Sequence, residues 1–287
     1  MEAVLLPNRV ARRSESVGVV IPEPISGMFC DPMVPRLLHG IGEELSSRGL
    51  QMVLFAPQSG SDFVRLDQYL AGGHVDAVLL LAPHESDSLV MRLKAHGIPM
   101  VSGGRPRGSH GVSFVDVDNH SAARIATEHL IAQGRRRIAH IAGPNQHAPA
   151  SERQQGFREA MWNAALSSHL IEQGGFDRDS GEFAMHRLLA RSEVIDAVFA
   201  SSDAMAAGAL WALQVVGLRV PEDVAVIGFD DTPMAAATQP PLTSVRQPVE
   251  QMGREMARLV LSMSSRQDHS PREVMLTAEL AIRASTN

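Results

Sequence analysis

Cysteine occurs once in the 287 residues, at Cys30, so neither an intrachain disulfide nor a thiolate metal cluster can form. A lone thiol reads as a small semi-buried side chain rather than a nucleophile, and it fits a reducing compartment. Aromatic residues make up only 4% of the chain, whereas 44% is apolar and carried mostly by Ala, Val, Leu and Ile. That mixture suits parallel strands covered on both faces by helices. Positive charge is in the minority, 26 Lys and Arg against 32 Asp and Glu, and the net charge is −6. A chain whose main surface grips nucleic acid needs a clustered positive field instead. No apolar run approaches the ~20 residues of a membrane span. The start offers only Ala3, Val4, Leu5 and Leu6 before Pro7 and the arginines Arg9, Arg12 and Arg13, the wrong order and length for a secretory signal. These absences predict a cytoplasmic protein without membrane contact.

Catalytic motifs are missing as well. There is no G-x-G-x-x-G, G-x-x-x-x-G-K-[ST], G-x-S-x-G, H-E-x-x-H or paired C-x-x-C, so the common nucleotide cradles, hydrolase elbows and zinc sites have no support. The twelve histidines, among them His39, His74, His84, His96, His110 and His120, are scattered, and exposed or capping roles suit them better than metal ligation. Asp230 and Asp231 are adjacent and therefore point apart, which argues against an acid–base pair. The sequence predicts binding rather than catalysis, with no cofactor and no metal.

What is present is rhythm. Short apolar, β-branched runs at residues 17–21, 52–56, 77–81 and 99–102 form one series; 137–142, 169–173, 197–201 and 224–229 form a second. Each run precedes a stretch of helical period, as in Val34, Leu37, Leu38, Ile41 and Leu45, with Gly49 to end it. Further stripes lie at 63–70, 89–96, 122–133, 157–166, 205–216 and 252–263, and Gly97, Gly134 and Gly217 stand where a helix C′ glycine belongs. Repeated strand–helix units predict an α/β fold of two doubly wound parallel-sheet lobes. The tail from Leu242 to Ile282 is too short for a third lobe and is expected to cross back into both sheets, giving a multi-strand hinge. Ligands of such sheets sit beyond the carboxyl ends of the strands.

Candidate binding residues follow from that rule. Arg153 is expected in the first turn of a helix after the 137–142 strand, where its guanidinium offers five fixed donors. Ser202 and Asp203 follow another strand and can cap the next helix, whose Ala and Gly residues would let it approach the sheet. Asp230 ends a core strand and can accept two hydroxyl hydrogen bonds or cap a turn. Phe176 lies in a strand-end loop and can lie flat against a sugar ring.

The text around these positions resembles the LacI/GalR transcriptional repressors. It comprises Gly18-Val19-Val20-Ile21-Pro22, Val117-Asp118-Asn119, and His129-Leu130-Ile131 through Gly134-Arg135-Arg136-Arg137-Ile138. It continues with Glu152-Arg153-x-x-Gly156-Phe157, Asp203-x-x-Ala206-x-Gly208, Val220-Pro221-Glu222-Asp223-Val224, Gly228-Phe229-Asp230-Asp231 and Pro240-Pro241-Leu242-Thr243-Ser244-Val245. The resemblance implies a periplasmic-binding-protein-like fold of type I that closes on a small polar, sugar-like effector. It implies Arg153 and Asp230 as the main polar contacts, Phe176 as a sugar-facing aromatic, and Phe29 as a residue of the loop after the first strand. Ser202 stands where many relatives have Asn, and Gly103-Gly104 precede Arg105 where many have an acidic residue.

The resemblance also implies a homodimer and operator DNA as partners. Asn8, Arg9, Ala11 and Arg12 match the family's DNA hinge helix, and the six residues before Pro7 are too few for a helix-turn-helix. The expected division is 1–16 as hinge remnant, 17–117 with 247–274 as one effector-binding lobe, and 118–246 with 275–287 as the other. The runner-up reading is a stand-alone cytoplasmic small-molecule binding protein that never touches DNA.

Overall fold

The computed structural model describes residues 14–22, 32–81, 87–106, 111–191, 193–264 and 270–287, apart from the side chains of residues 87–89 and 264. Asn8, Arg9, Ala11, Arg12, Phe29 and Cys30 lie outside the described residues.

Two compact units divide the chain, one comprising residues to Val115 with Glu250–Val274, the other Asp116–Val249 with Met275–Asn287. In the first, β1 (Ser16–Val20), α1 (Met33–Ser46), β2 (Gln51–Phe55), α2 (Gly60–Ala71), β3 (Ala77–Leu81), α3 (Asp87–Ala95), β4 (Met100–Gly103) and β5 (Ser113–Val117) alternate in chain order. Their six-stranded sheet runs β11-β5-β4-β3-β1-β2, with β11 (Glu273–Leu276) supplied by the chain's last segment. The second sequence is α4 (Asn119–Ala132), β6 (Ile138–Ala142), α5 (Ala148–Asn163), β7 (Ile171–Gln173), α6 (Arg178–Leu189), β8 (Ala197–Ala200), α7 (Asp203–Val215), β9 (Ala225–Asp230), α8 (Pro233–Ala237) and β10 (Thr243–Arg246). The following helix, α9 (Val249–Ser264), belongs from Glu250 on to the first unit, where Gly253 meets the backbone of α1. The six-stranded sheet of the second unit runs β12-β10-β9-β8-β6-β7, parallel except for β12 (Glu279–Ala281), which is antiparallel to β10.

Local chemistry accounts for the boundaries. The Ser59 side chain accepts from Asp62 N–H while the Asp62 carboxylate accepts from Ser59 N–H, a reciprocal cap that starts α2. Asp118, Asp177 and Ser202 start α4, α6 and α7 with one-way caps, each side chain accepting from the backbone N–H three residues on. Gly134 and Gly217 follow helix ends with φ of 89° and 79°, the left-handed conformation that closes a helix. β1, β3, β6 and β8 are buried along their whole length, as covered strands must be. β2 departs from that expectation. It is the sheet's edge strand, and Met52 and Leu54 are half-exposed while Val53 and Phe55 pack into the core.

Among the elements not anticipated by periodicity are β5, the short α8, and α6 with its buried stripe of Gly181, Ala184, Met185 and Leu188. A further difference bears on function. α5 begins at Ala148, so Arg153 sits in its second turn, not its first.

Candidate functional site

Arg153 is the centre of the second unit's strand-end chemistry. α5 lies so close to α4 that a Cβ on Gly156 would come 2.1 Å from the His120 carbonyl oxygen. That approach carries Arg153 to Asn119 in the first turn of α4, whose Oδ1 accepts from Nε at 2.8 Å. Nη1 donates to the Ser201 carbonyl at 2.6 Å, and the guanidinium carbon stands 3.6 Å from the Phe229 ring centroid. Asp230 Oδ1 is 3.8 Å from Nη1. Burial pushes the guanidinium pKa down, and Asp230, Asp116, Glu152 and Asp203 push it back up. Nη2 makes no hydrogen bond among the described residues.

Asp230 and Asp231 do point apart. Asp230 Oδ1 accepts from Gln247 Nε2 at 2.7 Å, whereas Asp231 is held by Arg246 and Arg283. Asp230 adopts φ of 106° and Phe176 φ of 69°, conformations that side chains with a Cβ adopt only under constraint. Asp230 is the last residue of β9 and Phe176 lies three residues past the end of β7, at the carboxyl ends of strands where ligands of α/β sheets are held. The Phe176 ring lies over Gly143, where a Cβ would be 2.3 Å from its Cζ, and His147 meets it edge-on at 5.7 Å.

Ser202 and Asp203 serve the scaffold. The Ser202 hydroxyl accepts from Met205 N–H and caps α7. Asp203 is buried, and its Oδ2 accepts from the Thr232 amide and hydroxyl at 2.7 and 2.9 Å. Its Oδ1 accepts from the Ser244 hydroxyl at 2.5 Å. Burial raises this carboxyl to about 6 against the bonds that favour its charge. α7 approaches the sheet as anticipated, with Ala206 Cβ 3.4 Å from where a Cβ on Gly228 of β9 would stand, and it approaches α6 as closely: a Cβ on Gly208 would meet the Arg178 carbonyl oxygen at 2.1 Å.

Sequence reasoning placed Arg153, Asp230 and Phe176 at strand ends but did not find their partners Ser201, Phe229 and Gln247. Asn119 was visible only as part of a motif. His140 overturns the expectation of surface histidines, being fully buried on β6. Among the described residues, no group of His, Cys, Asp and Glu is arranged to hold a metal.

The domain described as periplasmic binding protein-like matches residues 127–286. HTH-type transcriptional regulator CelR of Thermobifida fusca is 45% identical over 98% of this chain and 85% of its own length. The chain belongs to the LacI/GalR family. A second relative of this LacI/GalR regulator, MalR of Streptomyces coelicolor, is 32% identical over 98% of the chain and 83% of its own length. The fold of this chain superposes on a solved CelR–cellobiose complex with a TM-score of 0.88, at 46% identity over 96% of this chain and 85% of that one. The two parallel-sheet units are therefore the periplasmic-binding-protein-like core of a transcriptional regulator, and not an enzyme. No helix among its described residues is long and apolar enough to cross a membrane.

Proposed function

We propose that this LacI/GalR regulator is governed by a β-linked disaccharide of the cellobiose class, bound by Arg153 and Asp230 through its hydroxyl groups and by Phe176 through a sugar face. The observation that carries the reading is the buried guanidinium of Arg153, fixed by Asn119, Ser201 and Phe229, with Nη2 left without a hydrogen bond among the described residues. Such a donor loses no freedom when a hydroxyl arrives, so little of the binding energy goes into ordering it. The likeness to the CelR–cellobiose complex supports the choice of sugar. Asp203 acts from behind as a clamp, and Ser202 offers a hydroxyl near Phe176. Effector binding shifts the population of the conformer that engages operator DNA, in a cytoplasmic homodimer. Half-exposed Met52 and Leu54 on edge strand β2 support self-association of the first unit.

Calorimetry with cellobiose, maltose, glucose and ribose tests the reading. Cellobiose binds most tightly, and Arg153→Lys, which loses the planar fork and the stack on Phe229, weakens it at least about 100-fold. Failure of all four sugars to bind, or unchanged affinity in Arg153→Lys, refutes it.

A further inference from the structure

His140 is a polar residue where the sheet asks for an apolar one. It occupies the middle of β6, with no exposed surface, between the rings of Phe157 and Phe199. Both ring centroids are 4.9 Å away, at interplanar angles of 21° and 17°, so the imidazole is held flat between two aromatic faces. Burying a ring with two polar nitrogens costs free energy unless both are satisfied. Nδ1 lies 2.9 Å from the Phe199 carbonyl oxygen, and a carbonyl can only accept, so the proton of the neutral ring resides on Nδ1. Nε2 is then an acceptor, and the hydroxyl 3.4 Å from it belongs to Ser201.

Ser201 is the residue whose carbonyl receives Arg153 Nη1. Its amide donates to the Ile141 carbonyl at 2.9 Å, so amide, hydroxyl and carbonyl are each engaged in a different direction. The aromatic contacts lead to the same place. Phe199 lies 6.4 Å from Phe229, and Phe229 carries the guanidinium. Valine or leucine at position 140 would fill the space but leave the Ser201 hydroxyl without an acceptor on that side. Burial and the nearby Arg153 and Arg158 hold the imidazole at about 4, against the Phe199 bond that favours the cation, so the ring stays neutral near neutrality.

We propose that His140 is a positioning residue of the effector site: a neutral Nδ1–H imidazole that fixes the Ser201 hydroxyl and thereby the carbonyl on which the Arg153 guanidinium is seated. The inference rests on the reading of Arg153 as an effector contact, but its geometric content does not require an effector.

Two measurements test it. In a double-mutant cycle read by cellobiose calorimetry, His140→Phe keeps the aromatic stack and removes the acceptor, and Ser201→Ala removes the donor. Each change lowers affinity about five- to tenfold, the worth of one neutral hydrogen bond. The double variant loses no more than either single one, because both changes remove the same interaction. A merely structural histidine gives losses that multiply, and that result, or an His140→Phe protein binding as tightly as the parent, overturns the proposal.

The second measurement uses the ligand-free chain. Nitrogen-15 spectra selective for histidine, with His140→Phe as the assignment control, show an Nδ1–H tautomer, and the Arg153 Nε–H resonance shifts and exchanges faster with solvent in Ser201→Ala. An Nε2–H tautomer, or an Arg153 resonance indifferent to the substitution, overturns the proposal even if cellobiose proves not to be the effector. Where His140→Phe fails to fold, Ser201→Ala alone carries the test through that resonance.

Discussion

Replacing Gly208 by alanine sets two effects of opposite sign against each other. Within α7, alanine is favoured over glycine by about 1 kcal/mol. Against this, the new Cβ would lie 2.1 Å from the Arg178 carbonyl oxygen and 2.5 Å from the Glu182 amide nitrogen, both on α6. Gly181 faces back in the same way, where a Cβ would be 2.3 Å from the Met205 carbonyl oxygen. Cβ contacts below 3.0 Å do not occur, so α6 and α7 must part by roughly 1 Å (3.0 − 2.1). The obstacle is backbone on both sides and cannot rotate away. Overpacking of this kind costs about 1–3 kcal/mol. The upper end applies here because shifting α7 also disturbs Asp203 in its first turn, with its bonds to Thr232 and Ser244. The expected net loss is about 2 kcal/mol. Gly42 in α1 is the control, since its Cβ would meet nothing within 4 Å. There the same substitution stabilises by about 0.5–1 kcal/mol. Urea unfolding followed by tryptophan fluorescence reads both, and Trp211 is well placed, 5.5 Å from the Arg178 guanidinium across the α6–α7 contact. A Gly208→Ala midpoint equal to or above the parent's refutes the steric account.

Asp203 predicts a pH signature. Its folded pKa of about 6 exceeds the ordinary 3.8, so its contribution is fully present below 3.8 and is lost as pH rises through 6. Relative to Asp203→Asn, the parent loses up to about 3 kcal/mol between pH 4 and 6 (2.2 units at 1.36 kcal/mol each), and parallel stability curves refute this. Ser59→Ala removes the α2 cap and costs about 1 kcal/mol in urea unfolding without changing cellobiose affinity. Leu54→Lys places a charge on the half-exposed face of β2 and weakens self-association at least about tenfold by sedimentation, and an unchanged dimer constant removes that face from the interface.

The strands easiest to read in the sequence are those whose burial shows as an unbroken apolar run, such as β3 and β8. β5 escapes because Ser113 and Asp116 are buried within it, and polar letters hide a covered strand. α6 escapes because half its buried stripe is Gly181 and Ala184, which carry little hydrophobic signal; Asp177 three residues before Ser180 was the legible clue, and it is indeed the cap. The start of α5, five residues before Arg153, is hard to read because its first turns hold Pro149, Ser151 and Gln154 instead of an apolar stripe. The chemistry of Arg153 could be read from its residue type, but not its partners. Asn119 and Ser201 lie 34 and 48 positions away and reach it only through the fold.

The deeper reason the site resists reading is that much of it is specified by atoms that are missing. Phe176 can lie where it does because position 143 has no Cβ, which would stand 2.3 Å from its Cζ. Asp203 can hold Thr232 and Ser244 because position 228 has none, where a Cβ would be 2.4 Å from its Oδ1. Arg153 reaches Asn119 because position 156 has none, which lets α5 rest on the backbone of α4. Hydrophobic periodicity counts side chains that are present and ranks a glycine as a neutral gap or a breaker. In this chain three such gaps stand beside three of the candidate residues: positions 143 and 228 leave room for the Phe176 ring and the Asp203 carboxylate, and position 156 sets the distance between the α5 and α4 backbones. Substituting these glycines therefore acts on the candidate site residues through geometry, although a glycine offers no side chain of its own.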